Sequence, residues 1–149
     1  MTSRIDAAAA LRENRVMAEA SSPETASASL GSEFAQALQG KDITRLRELL
    51  APEIDFRALT PNRFWEASNP DSVFEIAFGH WFEDSDEIRA LERVETDEVA
   101  DRERVGYRLS IENPEGRFLV EQQAFLSATD DGRIGWMRIV CSGYRPVEG

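Results

Sequence analysis

The sequence predicts an α+β fold, in which three N-terminal helices pack on a mainly antiparallel β-sheet. Three observations predict it. Helical patterns come first and strand patterns last, with no alternating βαβ order. Val105, Tyr107, Leu109 and Ile111 alternate with Arg104, Gly106, Arg108 and Ser110, the period of a half-buried strand. Residues 118–126 and 134–141 read as two long strand arms around the turn Asp130-Asp131-Gly132-Arg133.

The elements follow in order. Residues 1–30 are rich in Ala, Ser and Thr and are expected to form a flexible or loosely helical extension, with the folded domain at 31–149. Within it, residues 5–20 have helical propensity and residues 21–27 read as a linker. Ser32 is a plausible N-cap for a short helix with Phe34, Ala35, Ala37 and Leu38 on its apolar face, ended by Gly40. Asp42 caps a second helix carrying Ile43, Leu46, Leu49 and Leu50, and Pro52 is expected to stop it. Ile54, Phe56 and Ala58 then alternate with Asp55 and Arg57 as a short strand. Residues 60–70 are expected to be a loop. Asn69-Pro70-Asp71 starts a third helix, with Val73, Phe74, Ala77, Phe78, Trp81 and Phe82 covering more than half its circumference. Glu83-Asp84-Ser85-Asp86 ends it. Residues 88–99 form a strand of mixed pattern, and Asn113-Pro114-Glu115-Gly116 a turn.

Composition narrows the function. The 149 residues suit one domain with a real core. With 28 acidic and 17 basic residues the net charge is −11, which repels phosphate backbones and anionic lipids, so neither nucleic acid nor membrane is an expected partner. No apolar run approaches the roughly 20 residues of a membrane span. Arg4, Arg12 and Arg15 precede no apolar segment, so no secretory signal is expected and a cytoplasmic location is. Cys141 and His80 are the only residues of their types, so no internal disulfide and no ordinary zinc site is expected, and no cofactor.

The helix–Gly40-Lys41-Asp42–helix connection with Leu49-Leu50 and a strand near Ile54 is one distinctive feature. The helix over residues 71–82 is a second, and the acidic turn Gly132-Arg133-Ile134 before an alternating strand is a third. Together they resemble the NTF2-like superfamily and its SnoaL-like members, over about residues 32–146. The resemblance implies a cystatin-like cone, with the sheet curved around the helices and an apolar pocket at its open end. Relatives include ketosteroid isomerases, polyketide cyclases, dehydratases, epoxide hydrolases and pure binding or assembly domains, so the fold does not settle function. Counted from the Lys41-Asp42 turn, Phe34 falls where ketosteroid isomerases carry an oxyanion-hole Tyr, and Ala58 near their general-base Asp. Counted back from Gly132, Ala124 falls near their protonated Asp. Phe and Ala can neither donate a hydrogen bond nor take a proton, which argues against steroid isomerase chemistry.

If Ala124 faces the cone, strand alternation turns Phe118, Val120, Gln122 and Leu126 inward as well. The resemblance places Met137, Ile139 and Cys141 inward. The candidate ligand contacts are Phe56, Trp65, Trp81, Leu109, Gln122, Ala124, Met137 and Cys141, an apolar lining with few polar groups, suited to a small hydrophobic or aromatic molecule. Tyr107 and His80 are the candidate catalytic pair, each with a plainer reading: a core aromatic, and a cation at a helix C-terminus. A partner for His80 would be Asp55, Glu121 or a water. Cys141 has no identifiable base and reads as filler. Arg57 and Arg63 flank the expected cone mouth, either to anchor an acidic group or to neutralise Glu53 and Asp55. Glu121, Arg108 and Arg138 form an outward charged row. Glu92, Glu95, Asp97 and Glu98 read as a solvated sheet edge. Leu119, Phe125 and Trp136 on the outer face supply a surface for a homodimer. Two functions remain open: a binding module for a small metabolite, or a cofactor-free cyclase, isomerase or dehydratase working through His80 and Tyr107.

Overall fold

The computed structural model describes residues 29–147. The expectations for residues 1–28 lie outside them. Helix α1 spans Leu30–Gln39. Its cap is Ser29, whose side chain accepts from the Ser32 N–H at 3.1 Å, rather than Ser32, which sits buried in the first turn. A second acceptor comes from far along the chain: Glu103 Oε2 takes the Gly31 N–H at 3.1 Å. Burial pushes the Glu103 carboxyl above its ordinary range, with the Ser29 and Gly31 hydrogen bonds pulling the other way. At the other end Gly40 is the C-cap but keeps a right-handed backbone, and Lys41 takes the left-handed turn at φ 50°. The N–H groups of Lys41 and Asp42 donate to the carbonyls of Leu38 and Ala37, closing a Schellman turn.

Helix α2, Ile43–Leu49, is capped by Asp42 as the sequence predicts. It buries Leu46 and Leu49, while Ile43 is exposed. The chain then passes directly into strand β1, Leu50–Thr60, so Pro52 lies inside a strand and stops no helix. Proline is tolerated there because the ladder between β1 and β6 shifts register between Leu50 and Asp55. The expected loop at 60–70 is largely a strand: β2, Arg63–Ala67, forms an antiparallel hairpin with β1. Its inward residues, Trp65 and Ala67, alternate with exposed Phe64 and Glu66, and the outward Phe64 blurs the two-residue period. Helix α3, Pro70–Ile76, starts on the Asn69 cap with Pro70 at its first position. It continues as a π-helical turn, Ala77–Trp81.

The remaining strands are β3 (Glu87–Val99), β4 (Arg102–Asn113), β5 (Gly116–Ala128), β6 (Ile134–Cys141) and the short β7 (Arg145–Pro146). The order is β2-β1-β6-β5-β4-β3, with β7 against the start of β5. Every pairing is antiparallel except β1 with β6, which is parallel. The result is the α+β layout that the sequence predicts, an open sheet with helices on one side. Helix α1 packs on β3 and β4, and α3 on β1 and β2. The buried inner face carries Ile54, Phe56 and Ala58 of β1, Val105, Tyr107, Leu109 and Ile111 of β4, Val120, Gln122, Ala124 and Leu126 of β5, and Ile134, Met137 and Ile139 of β6.

The outer face is bound by charge and by rings. Arg108 pairs with Glu121 at 2.8 Å, Arg104 with Asp97 at 2.8 Å and Arg138 with Asp55 at 3.2 Å. Trp136 lies between the guanidinium groups of Arg102 and Arg138, 3.7 and 4.3 Å from its ring. Trp136 is therefore only half-exposed, and Leu119 and Phe125 are half-exposed as well. The most exposed apolar residues of this face are Leu59, Phe64 and Val140, at 52, 54 and 53%. They form one row across three strands, since Leu59 is opposite both Phe64 and Val140.

Candidate functional site: a polar row inside the cone

Three strands bring Tyr107, Gln122 and Cys141 into one row, each opposite the next. All three belong to the inward set because side chains alternate along a strand. The Tyr107 hydroxyl donates to Gln122 Oε1 at 2.5 Å. Burial, with the neighbouring Cys141 thiol as a smaller cause, pushes that hydroxyl well above the ordinary tyrosine range, so it stays a neutral donor. Gln122 is 1% exposed, and its amide nitrogen has no hydrogen-bond partner among the described residues. A buried primary amide that satisfies its oxygen and not its nitrogen is unusual, because each orphaned donor carries a desolvation cost. Cys141 is half-buried, and its Sγ accepts from the Gly143 N–H at 3.4 Å.

The next row of the inner face holds Trp65, Ala58, Ile139, Ala124 and Val105. Ala58 and Ala124 thus flank Ile139, and both are buried. Phe34 of α1 lies over the other row, its ring 6.5 Å from that of Tyr107. The three positions that the resemblance singles out all face this interior.

A second group comes from the helix side. The π turn adds a residue to the last turn of the third helix, which leaves Trp81 buried and His80 exposed. Trp81 packs against Phe56 at 6.3 Å and edge-on to Trp65 at 6.2 Å. Its indole N–H, like the Gln122 amide nitrogen, is buried without a partner among the described residues. Trp65 donates its own N–H to Thr60 Oγ1 at 2.9 Å. Its ring meets His80 at 5.1 Å and the Arg63 guanidinium at 3.8 Å. Tyr144 joins the two groups: its hydroxyl donates to the Trp81 carbonyl at 2.7 Å, and its ring meets Phe82 and Phe118. Burial first, then Asp86, Cys141 and Glu83, push that hydroxyl far above the usual tyrosine range.

Of the ligand contacts expected from sequence, Phe56, Trp81, Leu109, Gln122, Ala124 and Met137 are buried on the inner side, with Trp65 and Cys141 half-buried beside them. The two candidate catalytic residues do not share an environment: Tyr107 is buried against Gln122, and His80 lies exposed against Trp65. Tyr144 was missed. Its signal was faint, an aromatic one residue past a glycine in an irregular tail, with no periodicity to assign it a face. Arg57 sits 3.7 Å from Asp55 and 3.5 Å from Glu66, a neutralising role. No group of His, Cys, Asp and Glu among the described residues could hold a metal ion. A cleft beside α1 is lined by Lys41, Asp86, Arg89 and Glu112 among others. Its cations are engaged, Lys41 on the carbonyls of Glu83 and Asp86, and Arg89 on Glu87 and Glu112.

No protein-family model and no curated protein sequence matches the chain. Solved structures do. A provisionally assigned isomerase from Rhodopseudomonas palustris superposes with a TM-score of 0.61 at 19% identity, covering 78% of this chain and 92% of that one. A provisionally assigned ketosteroid isomerase from Kribbella flavida gives 0.52 at 16% identity, over 80% of this chain and 81% of that one. An LEH-like epoxide hydrolase from M. tuberculosis gives 0.54 at 13% identity, over 76% and 80%. The chain shares the α+β fold of these structures. Among the described residues, no helix is long and apolar enough to cross a membrane.

Proposed function

We propose that this protein is a SnoaL-like binding domain that holds a small, largely apolar or aromatic metabolite inside the cone, without the acid/base machinery of a ketosteroid isomerase. The observation that carries it is Gln122: a fully buried amide, clamped through its oxygen by Tyr107, with its nitrogen left free to donate. An interior built only for stability has no use for such a nitrogen, since a buried donor without a partner carries a desolvation cost. The apolar surroundings supply affinity, and the amide supplies orientation. The acid/base alternative through His80 and Tyr107 has less support, because one group is exposed and the other is a neutral donor already engaged.

The test is a thermal-shift screen of neutral fused-ring aromatics and aryl ketones on the full chain. One or more should raise the melting temperature, and Gln122→Leu should reduce the effect. A screen in which no member shifts the wild-type protein overturns the proposal. We also propose a homodimer through the outer sheet face, centred on the row Phe64, Leu59 and Val140 and bordered by the Arg57–Glu66 and Arg138–Asp55 pairs. A cytoplasmic location accords with a single cysteine left as a thiol.

A further inference from the structure

Two cations at one corner of the outer sheet face have no partner. Among the described residues every other Lys or Arg makes a hydrogen bond, an ion pair or a ring contact, whereas the side chains of Arg117 and Arg145 make none. With 28 acidic and 17 basic residues in the chain, an arginine left without a carboxylate is the exception. The register shows how Arg117 comes to be one. Its cross-strand neighbour on β4 is Glu112, but Arg89 of β3 takes that carboxylate at 3.1 Å. Arg145 stands opposite Leu119 on β7, diagonal to Arg117, a placement from which two long side chains reach the same surface. A groove of about 440 Å³ opens beside them. Strand β6 pairs with β5 only from Gln122 onward, and the tail strand β7 takes its place beside Phe118 and Leu119. The tail raises Val147 as one wall, and Leu119 with Ser110, opposite it on β4, makes the floor. Arg117 lines the groove, and the far wall carries Glu92 of β3, exposed and without an ion pair among the described residues.

We propose that this groove is a second binding site, on the opposite side of the sheet from the cone interior, for a small molecule with one carboxylate on an apolar stem. The site stands apart from the binding function proposed above. Its carboxylate sits on Arg117 with Arg145 beside it, since planar guanidinium groups match a carboxylate in shape as well as charge. The stem lies over Leu119 towards β3. The volume falls in the range of small-molecule sites. Charge sets the direction, with free guanidinium groups at one end and the unpaired Glu92 at the other. Strands β3 and β5 flank β4, so the two ends lie two strand spacings apart, about 10 Å, the reach of an extended eight-carbon acid. A second negative charge on the far end of the ligand would meet Glu92 and weaken binding. The net charge of −11 repels an anionic bilayer, so the occupant is a free carboxylate and not a lipid surface.

Calorimetric titration of the full chain with octanoate, octanamide and octanedioate tests the proposal, because the three share a stem and differ in charge. At low salt octanoate should bind roughly fivefold more tightly than octanamide, a modest margin because both arginines are exposed. The margin should shrink as salt is added, and octanedioate should bind more weakly than octanoate. Arg117→Ala with Arg145→Ala should bring octanoate down to the level of octanamide, and a melting temperature near that of the wild type shows that the variant is folded. Ser110→Trp fills the groove from its floor with both arginines in place, and should abolish binding of octanoate and octanamide alike. Equal affinity for octanoate and octanamide overturns the proposal. So does octanoate binding that survives Ser110→Trp, tighter binding of octanedioate, or no binding at all. An octanoate affinity that falls as protein concentration rises, with a particle mass in light scattering that Ser110→Trp lowers, would give the groove to a second copy of the chain and overturns it too.

Discussion

Replacing Tyr107 by Phe and Gln122 by Leu together removes every polar atom of their buried side chains. Each single change leaves a partner behind: Tyr107→Phe orphans the Gln122 oxygen, and Gln122→Leu orphans the Tyr107 hydroxyl. Each should therefore cost about 1–3 kcal/mol of stability. The double variant leaves no orphan and removes one that the wild type carries, so it should melt at or above the wild-type temperature. Thermal unfolding of the four proteins decides it, and a double variant weaker than either single would refute the account of the amide. On the proposed binding function, stability and binding then oppose each other at this pair of residues. At this scale the sequence was informative for strands and poor for the helix end. Alternation turned Gln122 and Tyr107 inward, but nothing in a one-dimensional pattern pairs two residues on different strands. His80 comes out exposed because a π turn shifts the phase of every residue after it, and Gly79-His80 carries no mark of one.

The connections between elements depend on single residues. Lys41 adopts a left-handed backbone that favours glycine, and its ammonium group holds the carbonyls of Glu83 and Asp86 at 2.8 and 2.7 Å. The side chain thus ties the α1–α2 turn to the loop between Trp81 and β3. Lys41→Ala loses the tie and keeps the strain, whereas Lys41→Gly loses the tie and releases the strain. Alanine should be the more damaging by about 1 kcal/mol in denaturant unfolding. Equal losses would show that the backbone conformation carries no strain. The Asp42 and Asn69 caps were readable from sequence because capping is local. The hairpin of β1 and β2 was not, since Arg63-Phe64-Trp65 puts one large apolar side chain on each face of the strand. The cap that Glu103 adds to α1 was unreadable in principle: it joins residues 72 apart in the chain.

Across the whole molecule, the proposed homodimer rests on the outer sheet face. If the row Phe64, Leu59 and Val140 is a dimer core, Phe64→Lys with Val140→Lys should convert a dimer to a monomer in light scattering, with the melting transition nearly retained at low concentration. A wild-type monomer at high micromolar concentration would remove the proposal. The sequence placed the apolar surface on this face but centred it on Leu119, Phe125 and Trp136, because it could not register the arginines that cover Trp136.

One feature of the sheet bears on how the chain reaches its fold. Strand β1 pairs on one side with its own hairpin partner and on the other with β6, and the Asp55–Arg138 contact in that parallel seam joins residues 83 apart. Ordering so distant a pair requires a long loop to close before any contact repays it. On a ribosome, the hairpin of β1 and β2 would emerge with one edge bare and wait for most of the domain to follow. During that interval the bare edge is an exposed template for pairing with another chain, and slowing translation past β1 should raise the yield of aggregate more than slowing it past β5.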